Sequence, residues 1–103
     1  MAAKYKQQIS AYCQKHHVEI PPGFGRNTPS RYAIIRCDKQ PPKLIAMTWN
    51  KTSDVIYYID NFLIPELGES ADGKFLVLDF RDAKRLSRKD SRSLDEVGDF
   101  ELV

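Results

Sequence analysis

The chain has 103 residues, 42% hydrophobic and 29% charged, with a formal net charge of +2. That length holds one domain core, the composition excludes a wholly disordered chain, and no apolar run nears the roughly 20 residues needed to span a bilayer. Two cysteines, Cys13 and Cys37, are too few for a disulfide framework, and the opening MAAKYKQQIS has no apolar signal-peptide core, so a reduced, cytoplasmic protein is expected.

Charge falls in blocks along the chain. Residues 1–52 carry +7, residues 53–80 carry −5, residues 81–92 carry +4 and residues 93–103 carry −4. Blocks of this kind either meet one another in the fold or present fields to a charged partner.

A first helix is expected over residues 3–17, where Tyr5, Ile9, Tyr12, Cys13 and His16 recur at steps of three and four. Val18 to Ile20 should run extended into Pro21 and Pro22. The following PPGFGRNTPS is loop; it carries neither the Gly-Lys-Ser/Thr ending of a phosphate loop nor a GxGxxG pattern.

Arg31–Cys37 and Leu44–Trp49 read as strands, joined by Asp38-Lys39-Gln40-Pro41-Pro42 as a hairpin loop. Ala33, Ile35 and Cys37 alternate with Tyr32, Ile34 and Arg36, so both faces of the first strand carry apolar side chains and the sheet should be covered at least partly on each. A second helix starts at Thr52 or Ser53, either of which can cap it, and should stop near Leu63 or Ile64 because Pro65 follows. Its stripe is Val55, Ile56, Ile59, Phe62 and Leu63.

Lys74–Phe80 is a third, near-continuously apolar strand. It either pairs parallel with the second strand across the helix, or joins the other edge or runs antiparallel. From Arg81 onward large apolar residues thin out, and a flexible charged tail is expected, with Ser87–Ser93 ordered only by a partner. The fold expected is therefore a single α+β domain of order α-β-β-α-β. It has a three-stranded sheet covered by two helices, a fourth C-terminal edge strand as the alternative, a compact unit over 1–80 and a tail over 81–103.

Four kinds of chemistry compete. Cys13, His16 and His17 with Cys37 offer metal-ligand types, but adjacent histidines diverge on a helix and the set does not add up to a site; no metal or cofactor is expected. A cysteine or hydrolytic enzyme would need a base held against its nucleophile, which no spacing here imposes and no nucleophile-elbow motif supports. A basic and aromatic set, Phe24, Arg26, Arg31, Tyr32, Arg36, Lys39, Lys43 and Trp49, combines cations for phosphates with rings for bases, which suits nucleic acid. The leading expectation is non-enzymatic: a binding module that regulates, inhibits or adapts a protein partner, or pairs with its own copy.

Overall fold

A computed structural model of the protein describes residues 5–25, 31–45, 51–68, 73–90 and 93–102. Helix α1 runs Lys6–Lys15 and buries Ile9, Tyr12 and Cys13, the core of the expected stripe. It ends without glycine. The Val18 N–H donates to the Cys13 carbonyl at 2.8 Å while His17 takes φ 58°, a left-handed closing turn built on a residue that tolerates it poorly. Since His17 is exposed, His17→Gly is expected to raise stability by about 0.5–1 kcal/mol in urea denaturation; a loss of that size would mean that the imidazole makes a contact the fold needs.

Strand β1 (Tyr32–Arg36) pairs antiparallel with β2 (Lys43–Ile45), with Ile35 opposite Leu44. The expected β2 residues 46–49 lie outside the described residues. Glu19 bridges to the outer side of β2 next to Lys43. Strand β3 (Phe75–Asp79) pairs with the other edge of β1, antiparallel, with Ala33 opposite Leu78. The parallel crossover is thus replaced by its alternative.

Residues 84–99, expected within a flexible tail, form β4 (Lys84–Asp90) and β5 (Ser93–Asp99). Among the described residues the sheet therefore has five strands, ordered β2-β1-β3-β4-β5, rather than three or four. These two strands escape notice because they send few apolar side chains inward. Leu86 and Leu94 pack on one core and Phe100, just past β5, on the other. Backbone pairing to β3 and between themselves does the rest. Leu86 faces Glu96 while Arg85 faces Gly98, so Val97 is an extra residue in the ladder, a bulge that leaves it exposed.

The alternation along β1 sorts the molecule into two cores. Ala33 and Ile35 join Ile9, Tyr12, Cys13, Phe24, Leu44, Leu78 and Phe80 beneath α1. Tyr32 and Ile34 join Val55, Ile59, Leu63 and Val77 beneath the second helical segment. The result is a sheet covered by helix on both faces. Among the described residues no helix is long and apolar enough to cross a membrane.

The second helical segment departs from expectation at Pro65. Helix α2 (Thr52–Tyr58) passes into a π-turn over Ile59–Leu63 and then into a last turn, α3 (Ile64–Leu67), which closes at Gly68 with φ 78°. The wider turn, bonded i→i+5, relieves the clash that a proline ring makes with the preceding turn, so the helix carries on through it. Neither expected capping hydroxyl caps: Lys51 is the N-cap residue, and the Thr52 hydroxyl lies 3.3 Å from the Tyr32 hydroxyl.

Candidate functional site

The π-turn decides which aromatic rings reach solvent. In an unbroken α-helix Phe62 would sit in line with Val55 and Ile59. Slower rotation through the π-turn brings Leu63 into that line instead, and turns Phe62 outward beside Tyr58. Leu63 is 1% exposed and Phe62 53% exposed. Phe62 stacks on Tyr58 with centroids 5.1 Å apart, and Tyr57, 63% exposed, meets it edge-on at 6.4 Å. The expected stripe had placed Phe62 in the core; the unrecognised π-turn is why it is not there.

The basic and aromatic set separates into parts. Arg26 and Trp49 lie outside the described residues. Phe24 and Tyr32 are buried on opposite faces of the sheet, so they form no shared stacking platform. Arg31 enters β1 and grips Asp79 with two bonds, Nε to Oδ1 at 2.9 Å and Nη2 to Oδ2 at 2.7 Å. Arg36 leaves the same strand and makes the same fork with Asp38, at 2.9 and 2.6 Å, plus a bond from Nη1 to Glu66 at the end of α3. The Arg36 guanidinium in turn holds the Asp38 carboxyl below its ordinary range.

Three members of the set do converge. Arg36, Lys39 and Lys43 line a cleft of about 430 Å³ together with Pro21, Leu44, Ile45 and Tyr58. Among the described residues its lining holds three cations and no carboxylate. Lys43 has Glu19 at 4.0 Å, loose for an ion pair, and Lys39 makes no ion pair among the described residues. Through Tyr58 the cleft is continuous with the Phe62 ring.

A second cleft, of about 300 Å³, lies between α1 and the end of β5. It is lined by Tyr12, Lys15, His16, Arg85, Asp99, Phe100 and Glu101. Its cations are matched by acids within the lining, with Lys15 3.9 Å from Glu101, so it presents no net field of one sign.

The cysteine and histidine set stays apart as chemistry. No group of three potential metal ligands occurs among the described residues. His16 leans on the Tyr12 ring at 4.2 Å and is exposed, whereas Cys13 is fully buried. Burial pushes the Cys13 thiol up to about 11, and raises Cys37 as well. A thiolate is the reactive form, so a disulfide reagent at pH 8 is expected to label Cys37 slowly and Cys13 only as the protein unfolds. Rapid labelling of Cys13 in the native protein would contradict its burial.

Comparison of the chain with protein-family models, with curated proteins and with solved structures finds no match.

Proposed function

We propose that this is a small, non-enzymatic cytoplasmic module that binds a protein partner, as a regulator, inhibitor or adaptor. The observation that carries the reading is the π-turn, which turns Phe62 out of the helix's buried stripe and sets it beside Tyr58 and Tyr57. Leu63 takes the buried place in its stead, which leaves Phe62 more than half exposed to solvent. Exposed aromatic clusters of this kind supply interface anchors, and π-turns recur where helices carry function.

The nucleic-acid reading has less support. Arg31 and Arg36 are engaged by carboxylates, and its described aromatic rings are buried. What favours it is the pair Lys39 and Lys43 in the cleft.

Photo-crosslinking decides between them. A benzophenone amino acid replaces Phe62, and in a control Gln14, which is exposed on α1. In the native host the Phe62 probe is expected to give a discrete protein adduct that the Gln14 probe does not. An adduct of twice the chain mass would identify the partner as a second copy. Absence of any specific adduct, or an adduct with nucleic acid alone, would overturn the reading.

A further inference from the structure

Resting on the protein-binding reading, we propose that the partner presents an acidic extended segment. Its carboxylates enter the cleft of Arg36, Lys39 and Lys43, and a neighbouring apolar residue packs on Phe62. Arg36 is already matched by Asp38 and Glu66, but Lys39 and Lys43 share the same concavity and repel one another, and a carboxylate seated between them removes that cost. Among the described residues the nearby acids do not fill this role for the two lysines. Asp38 and Glu66 hold Arg36 from outside the lining and take three of its five N–H donors, and Glu19 stands 4.0 Å from Lys43.

The wall of the cleft strengthens such a contact. Leu44 is buried, and Pro21 and Ile45 are half-buried, so the ammonium groups act beside apolar surface where charges attract more strongly than in bulk water. Continuity supplies the second half of the recognition. Tyr58 belongs both to the cleft and to the stacked pair with Phe62, so one short segment can reach cations and aromatic anchor together. The segment recognised is therefore mixed, acidic with an apolar residue, rather than a bare run of negative charge.

The probe is a short fluorescent peptide of alternating glutamate and leucine, titrated by anisotropy and mapped by amide chemical shifts. Its glutamine-for-glutamate analogue and a single-stranded oligouridylate serve as comparisons. The acidic peptide is expected to shift residues around Lys39, Lys43 and Phe62, to bind at least about tenfold more tightly than the glutamine analogue, and to weaken as salt rises. Lys39→Glu with Lys43→Glu should abolish binding while the melting temperature holds, since both lysines are exposed. Equal binding of the glutamine analogue overturns the acidic specificity and leaves the protein-binding reading intact. So does failure of the acidic peptide to bind while the Phe62 crosslink persists. Oligouridylate binding more tightly at the same residues overturns both.

Discussion

Replacing Arg31 by methionine is expected to destabilise the protein by about 2–3 kcal/mol, although the position looks like part of a basic surface. Asp79 is 4% exposed, and it accepts two bonds from Arg31 and one from the Arg81 N–H at 3.0 Å. Removing the guanidinium leaves a buried carboxylate with the Arg81 N–H as its remaining partner among these three bonds. Breaking a buried pair in that way costs about 3–5 kcal/mol, and the side-chain exposure of Arg31, 24%, moves the expectation toward or below the lower end. Adding Asp79→Asn to Arg31→Met should recover part of the loss, because a neutral amide is cheaper to leave there than a charge. Urea denaturation of both variants checks this. A loss below about 0.5 kcal/mol in the single variant would place the pair among ordinary surface bridges.

Phe80→Ala should cost about 3–5 kcal/mol, the range for deleting a fully buried aromatic ring. Phe80 is 1% exposed and stands edge-on to both Tyr12, at 6.0 Å, and Phe100, at 5.0 Å. It thus joins α1, the end of β3 and the residue that follows β5. Emptying that position removes the ring contacts as well as the buried area. For a domain of this size the melting temperature should fall by about 15 °C or more. Phe80→Leu, which keeps most of the volume, should lose about half as much. Near-equal effects of the two substitutions would mean that the ring geometry matters more than the space it fills.

Much of the fold was legible because β1 carries two apolar faces in strict alternation. Ala33 and Ile35 went to the α1 core, and Tyr32 and Ile34 to the other, as period-two patterning requires. The β4–β5 hairpin was not legible. KRLSRKD and SLDEVGD hold one large apolar residue and two, and their structure rests on ladder pairing that periodicity does not register. The same holds for the site. Arg31 meets Asp79 across 48 residues, so nothing local marked it as engaged; Arg36 meets Glu66 across 30, and only its fork with Asp38 is local. Lys39 and Lys43, in and beside the hairpin loop, could be placed on a surface from local pattern alone. Phe62 was missed as a surface because a π-turn leaves no plain signature in sequence beyond the proline that follows it.

The charge blocks resolve in part as contacts within the fold. Lys84 binds Asp99 at 2.6 Å, Arg88 bonds Asp60 on the π-turn, and Arg31 reaches Asp79 and Asp82. All but Arg31–Asp82 pair a basic block with an acidic one. Against that background the cleft stands out, with Lys39 lacking an ion pair among the described residues and Lys43 only loosely matched.

The proposed binding surface needs Tyr57 and Phe62 outside the core, and the stability of the double variant Tyr57→Gln with Phe62→Gln checks that, since glutamine keeps helix propensity. Chemical denaturation is predicted to give a folding free energy within about 1 kcal/mol of the native chain, as for other exposed positions. A loss of more than about 2 kcal/mol, the signature of a buried aromatic, would contradict that placement.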